Sequence, residues 1–186
     1  KALESNIQHA VTKASALTGQ LLGFAQKGKY EVTKVDMSTI MQSCFALFEP
    51  MARKSIKIRL ILHPEPVYVK ADATQIEQVL LNLLINSRDA LEDCENQKIF
   101  FRLEHANDYT PGWHLAAEGS LPQQYACIRC KDNGSGIDPE NLKTIFDPFF
   151  TTKEVGKGTG MGLAMAYGTI NNHNGWIHVE SNIGKG

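Results

Sequence analysis

The sequence predicts a mixed α/β fold in two layers, a mixed sheet with helices on one face, preceded by a separate N-terminal helix. Three observations predict it. Residues 72–92 place Ile76, Val79, Leu80, Leu83, Leu84 and Leu91 on one side of a helix. Residues 56–62, 98–105 and 125–132 are short alternating or apolar runs that read as strands. Helical and strand patterns alternate along the chain, so the strands pair in one sheet and the helices cover it.

The 186 residues suit one domain with an appendage, or two small domains. An apolar share of 42% is enough for a core. The net charge of −1 offers no broad basic field for nucleic acid. No apolar run approaches bilayer length, and no secretory leader is visible. The expected setting is cytoplasmic, with no membrane contact by these residues, and a membrane anchor elsewhere in a longer parent is left open.

Taken in order, residues 1–28 read as one helix. Leu3, Ile7, Ala10, Ala14, Leu17, Leu21 and Phe24 form a heptad seam that calls for a partner helix, and Gly28 stops it. Residues 29–36 read as a polar connection and the domain boundary. Asp36 or Ser38 caps a second helix running to about Ala52, with Ile40, Cys44, Leu47 and Phe48 on its apolar side. The strand over 56–62 is followed by a short one over 67–69. The helix over 72–92 comes next, then the strands over 98–105 and 125–132. Residues 106–122, with Pro111, Gly112 and Gly119, read as a long loop between those strands. A short helix is expected over 139–145, another over 160–173, and a strand over 176–180. The chain then reaches Gly186, and a further strand of the sheet is expected beyond it.

Cys127 and Cys130 have a CxxC spacing, but residues three apart on a strand point to opposite faces, and no second pair accompanies them. All four cysteines read as structural thiols.

Chemistry concentrates in three places. Asn82, Asn86 and Asp89 interrupt the apolar helix at spacings of four and three, which stacks them on one side. Buried polar groups need partners, so the stripe faces a network, a ligand or water. Asp132 ends a strand in which Ala126, Ile128 and Cys130 share its parity, and Asp132-Asn133-Gly134-Ser135-Gly136-Ile137 follows as a permissive turn. A hairpin turn is the plain alternative for that segment taken alone. Ten of the fifteen glycines lie after residue 133, among them Gly156, Gly158, Gly160 and Gly162. Consecutive amides there, with the following helix start, suit phosphate oxygens. Neither the Rossmann nor the P-loop pattern is present.

In this order the motifs resemble those of the ATP-binding module of sensor histidine kinases, in the GHKL superfamily. Asn82-Leu83-Leu84-Ile85-Asn86-Ser87-Arg88-Asp89-Ala90 is similar to the N box. The resemblance implies that Asn86 holds Mg²⁺, that Asn82 lies beside the phosphates, and that Arg88 and Asp89 assist at the phosphates or the lid. The Asp132-x-Gly134-x-Gly136 run, with Ile137, resembles the G1 box, whose aspartate accepts the adenine amino group. Residues 145–153 resemble the F box at the base of an ATP lid, with Phe146, Phe150, Thr151 and Thr152, and with Lys153 as a phosphate contact. The G2 box is matched by Gly158, Thr159, Gly160, Met161, Gly162 and Leu163. Water-using relatives such as gyrase and the MutL proteins carry glutamate at the place of Asn82, and an amide is no comparable base. The resemblance thus implies phosphoryl transfer to a protein group, with Asn82, Asn86 and Lys153 as the catalytic set.

The same resemblance implies a Bergerat-type sandwich over 31–186, with its final strand truncated, and the second helix of a dimerisation hairpin over 1–30. It also requires an acceptor histidine followed directly by an acid. His9, His63, His105, His114, His173 and His178 are followed by Ala, Pro, Ala, Leu, Asn and Val. The acceptor is therefore expected outside this chain. ATP and Mg²⁺ are the implied ligands, a response-regulator receiver domain and a second copy through the hairpin the implied partners. The competing readings are a GHKL ATPase clamp and a non-catalytic nucleotide-binding dimerisation module.

Overall fold

The computed structural model describes residues 31–105, 125–154 and 158–186. The heptad helix expected over 1–28, the loop over 106–122, and Gly156 lie outside the described residues.

Strand β1 (Thr33–Asp36) leads straight into helix α1 (Met37–Phe48). The Asp36 side chain caps α1 by accepting the Ser38 amide at 3.0 Å. The helix stops before Pro50, which cannot donate to the ladder, and one 3₁₀ turn (Glu49–Met51) completes the segment expected to run to Ala52. Strands β2 (Lys57–Ile61) and β3 (Tyr68–Ala71) follow, then helix α2 (Ala73–Ala90). Strands β4 (Lys98–His105) and β5 (Ala126–Asp132) fall where the sequence put them. A 3₁₀ turn (Asn141–Lys143) replaces the short helix expected over 139–145, and helix α3 (Gly162–Asn172) closes the series.

Order β2-β4-β5 makes a mixed three-stranded sheet, with β2 parallel and β5 antiparallel to β4. A parallel pair needs a crossover, and the segment holding α2 supplies it. β1 and β3 form a separate antiparallel pair, with Thr33 opposite Ala71. The expected polar connection over 29–36 is thus partly strand. Its partner lies more than thirty residues on, so no local pattern announces the pairing, which Lys34 supports from 4.1 Å over the Tyr68 ring.

The core lies between sheet and helices. Met41, Cys44 and Phe48 of α1, Leu80 and Leu84 of α2, and Ile99, Phe101 and Leu103 of β4 are all buried. Cys44, Cys94 and Cys130 belong to this packing or its margin, Cys127 is buried on β5, and all four thiols are free. The strand expected over 176–180 joins no ladder among the described residues. Alternation of Ile177 and Val179 supplies a strand pattern, but a ladder needs a neighbour within hydrogen-bonding reach. The edge of β5 away from β4 pairs with no described strand. No helix of the described residues is long and apolar enough to cross a membrane.

Candidate functional site

Helix α2 is the base of the site. Asp72 caps it by accepting the Gln75 amide at 3.1 Å, and Ile76, Val79, Leu80 and Leu84 bury one side. The Asp72 amide in turn donates to His173 Nε2 at 3.0 Å, while His173 Nδ1 meets the Thr169 carbonyl at 2.8 Å. The end of α3 is thereby fastened to the start of α2.

Asn82 is 8% exposed, too little for water to satisfy its amide. Its Oδ1 accepts Gln78 Nε2 at 3.3 Å and its Nδ2 donates to the Gly162 carbonyl at 3.3 Å. One turn on, Asn86 faces the same glycine: a Cβ on Gly162 would stand 3.8 Å from both Asn82 Cγ and Asn86 Nδ2. The polar stripe of α2 therefore meets the glycine-rich entry of α3. Asp89, a turn further, accepts Arg88 Nε and Nη2 at 3.0 and 2.7 Å on one oxygen and Lys153 Nζ at 2.6 Å on the other. Burial alone would raise the Asp89 carboxyl. The hydrogen bonds and charges of Lys153 and Arg88 outweigh it and hold the group below the ordinary carboxylate range.

The turn after β5 docks on the end of the same helix. Asp132 Oδ1 accepts the Gly134 amide at 2.8 Å, and the Ser135 amide donates to the Ala90 carbonyl at 2.9 Å. Gly134 lies so close that a Cβ would come within 2.6 Å of that carbonyl oxygen. Asn133 ties the turn to β4, accepting the Lys98 amide at 2.7 Å. Gly136 has φ +72°, a left-handed conformation that glycine adopts without strain, and Ile137 donates its amide to Ser181 Oγ at 2.8 Å.

The aromatic segment divides in two. Phe146 packs against Tyr167 of α3 with ring centroids 5.2 Å apart, and Phe150 is half-buried. Phe149 is 66% exposed at φ +68°, so it is no core anchor, and its amide donates to the Gly160 carbonyl at 3.0 Å. Gly160 itself has φ +65°. Thr151 Oγ1 accepts the Lys153 amide at 3.2 Å and sits against Gly158. Thr159 Oγ1 accepts the Met161 amide at 3.3 Å, Met161 is buried, and Leu163 is half-buried in the first turn of α3.

Two groups stand out among the residues singled out in the sequence. Asn82, Asn86, Arg88, Asp89, Lys153 and Gly162 converge on α2. Gly136, Ile137 and Thr152 line an open cleft of about 280 Å³ together with Ser135, Asp138, Asn141 and Ile183. Asn82, Asn86 and Asp132 are not among its lining residues. Gln78 and Ser87 were not singled out. Gln78 holds Asn82 from one turn away, a spacing of four that the sequence displays. Ser87 Oγ lies 3.3 Å from Cys130 Sγ and joins α2 to β5, a pairing no local pattern announces. Burial pushes the Cys130 thiol up to about 12.

The arrangement gathers amides, glycine backbone and positive charge at one end of α2, which suits an anionic ligand. Asn86 brings its amide beside Gly162, and Lys153 and Arg88 bring positive charge to the same end of the stripe. Among the described residues no cluster of three or more His, Cys, Asp or Glu side chains stands ready to hold a metal ion without such a ligand.

A family model described as histidine kinase-, DNA gyrase B-, and HSP90-like ATPase matches residues 71–186. The sensor kinase CckA of Brucella abortus (strain 2308) is 35% identical over 182 residues, covering 97% of this chain and 19% of that protein. The sensory histidine kinase/phosphatase NtrB of Vibrio alginolyticus is 34% identical over 169 residues, 89% of this chain and 45% of that protein. The chain thus spans less than half of either relative. Among solved structures, the catalytic domain of histidine kinase ThkA aligns with a TM-score of 0.59 at 31% identity, covering 77% of this chain and 82% of that one. ThkA in complex with the response regulator protein TrrA aligns with a TM-score of 0.67 at 26% identity, over 94% of this chain and 45% of that one.

Proposed function

Because the chain belongs to the family of histidine kinase-, DNA gyrase B- and HSP90-like ATPases, and matches a histidine kinase catalytic domain over most of its length, we propose that it binds Mg-ATP and passes the γ-phosphoryl group to a histidine outside this chain. The observation that carries the proposal is the meeting of Gly162 with the Asn82 and Asn86 side chains. A stripe of amides on one helix and the glycine entry of another, brought together from eighty residues apart, is an arrangement a triphosphate explains.

In this reading Asn86 offers its amide oxygen to Mg²⁺, which supplies charge neutralisation at the phosphates when bound. Asp132 keeps one oxygen on the Gly134 amide and presents the other to the adenine amino group, with Gly134, Gly136 and Ile137 forming the wall beside the base. Phe146 and Phe150 seat the root of the lid, and Thr151, Thr152, Lys153, Gly158, Thr159, Gly160, Met161 and Leu163 bound the phosphate side. Asn82 and Lys153 orient and neutralise. Catalysis is then positioning plus electrostatic stabilisation.

Residues 31–186 form the catalytic ATP-binding domain of this proposal, and 1–30 the second helix of a dimerisation hairpin. The open edge of β5 is where a further strand would pair. The parent works as a cytoplasmic kinase module and hands its phosphoryl group to a receiver-domain aspartate, a reading supported by the ThkA–TrrA assembly.

Calorimetry with Mg²⁺ and an unreactive ATP analogue tests this. Binding is expected, with a preference for the adenine over the guanine analogue that Asp132→Ala removes, and with Asn86→Ala abolishing the dependence on Mg²⁺. Equal binding of both bases, indifferent to either substitution, refutes it. Steady ATP turnover that disappears in Asn82→Ala would instead support an ATPase clamp.

A further inference from the structure

We infer that Asp89 is a positioning residue that acts through Lys153, fixing the root of the glycine-rich lid on the end of α2 without touching the nucleotide itself. The inference rests on the nucleotide-binding reading above and gives one residue of that site a distinct role.

Both carboxylate oxygens of Asp89 are already engaged. Oδ1 accepts two donors of Arg88 and Oδ2 accepts Lys153 Nζ at 2.6 Å. Arg88 precedes Asp89 on the helix, whereas Lys153 comes from the other side of the chain, 64 residues away. The side chains are sheltered, with Asp89 25% and Lys153 34% exposed, so the pair is not a solvated surface contact of negligible worth.

Lys153 stands where the two limbs of the lid touch. The returning limb presses on its stem: a Cβ on Gly158 would lie 3.2 Å from Lys153 Cδ and 2.6 Å from Thr151 Oγ1. Slightly further toward the root, the Phe149 amide donates to the Gly160 carbonyl at 3.0 Å, with both residues in left-handed backbone. The limbs are thus pinched together at two levels, and the Lys153–Asp89 pair ties that pinch to α2.

A carboxylate facing a triphosphate would repel it unless neutralised. Two cations neutralise Asp89, and the three groups together keep one net positive charge. An ammonium has three donors, and Asp89 uses one of those on Lys153, leaving the others for phosphate oxygens. Asp89 therefore fixes the direction of Lys153 without using up its capacity. A direct role as a metal ligand would require Asp89 to shed donors it now holds. The depressed protonation of the carboxyl agrees with a group kept ionised by its partners.

Two arms test the inference. In the nucleotide-free chain, amide exchange over 149–154 is expected to quicken about tenfold in Asp89→Asn and in Lys153→Ala, with Asp89→Glu restoring protection. Unchanged exchange in Asp89→Asn overturns the inference whether or not nucleotide binds. In the second arm, calorimetry with Mg²⁺ and an unreactive ATP analogue compares the two single variants with the double one. Asp89→Asn is expected to weaken binding about tenfold alone and to add nothing in the Lys153→Ala background. An equal loss in both backgrounds means that Asp89 meets nucleotide or metal itself, and overturns the inference. Failure of the unaltered chain to bind the analogue refutes the proposed function and leaves the exchange arm to decide.

Discussion

Replacing Gly134 by alanine tests the junction on which the site depends. The added Cβ would fall 2.6 Å from the Ala90 carbonyl oxygen and 2.8 Å from both the carbonyl carbon and the Ala90 Cβ. Two of these atoms are backbone at the end of α2 and cannot rotate away. To restore ordinary contact the turn must retreat by roughly 0.8 Å, in an interior packed too densely to absorb it. That retreat stretches the hydrogen bond from the Ser135 amide to the same carbonyl, now 2.9 Å. Overpacking of this kind costs about 1–3 kcal/mol, and a weakened backbone hydrogen bond adds about 1. Gly168 supplies the control, because it lies inside α3 and a Cβ there meets nothing within 4 Å. Alanine at that position should stabilise by about 0.5–1 kcal/mol through backbone entropy. Urea unfolding of the two variants should move the midpoint in opposite directions. The Gly134→Ala chain should also bind the ATP analogue more weakly, since the Asp132 carboxylate is held by the Gly134 amide. A Gly134→Ala chain as stable as the unaltered protein would refute the docking of this turn on α2.

Acid should erase the contribution of Asp89. Its folded-state pKa is depressed, so its stabilisation is complete above the unfolded value near 4 and is lost as the pH falls through the lower folded value. The stability gap between the unaltered chain and Asp89→Asn, read by urea unfolding across that range, should be full at pH 7, begin to narrow near pH 4 and close only below the lower folded value; a gap that does not narrow on acidification contradicts the ion pair. Thiol alkylation at pH 8, read by mass spectrometry, should mark half-buried Cys94 on the native chain first. Cys44 and Cys130, both pushed up to about 12 by burial, and Cys127, raised for the same reason, should wait for unfolding.

Much of this was legible because its causes are local. Helix α2 announces itself through the spacing of Ile76, Leu80 and Leu84, and those residues are buried. The Asn82, Asn86 and Asp89 stripe follows from the same period. The pairing of β4 with β5 was implied by two strand patterns in succession, though not its register. What escaped depends on partners distant in sequence. Thr33–Asp36 is a strand because Tyr68–Ala71 lies beside it, and the expected strand over 176–180 joins no described ladder. Lys153 was singled out for a phosphate, yet its present partner is a carboxylate 64 residues earlier, which helix spacing cannot reveal. Phe149 is apolar, yet its ring is exposed while its backbone bonds to Gly160, a long-range contact that composition does not reveal.

The amide at position 82 has a structural consequence that bears on the chemistry. Asn82 both accepts, from Gln78, and donates, to the Gly162 carbonyl. A carboxylate can only accept at neutral pH, so glutamate there would set two acceptor oxygens facing each other in a site that is 8% exposed. The penalty for such an unmatched acceptor is about 1–3 kcal/mol, and it can be relieved by moving the first turn of α3 away from α2. Introducing a base for water and keeping the phosphate side intact are therefore competing demands in this chain. Asn82→Glu should lose stability by that amount in urea unfolding and should release phosphate no faster than the unaltered protein in a steady-state assay. If it became a steady ATPase with undiminished stability, the amide tie between Asn82 and Gly162 would have no part in placing helix α3.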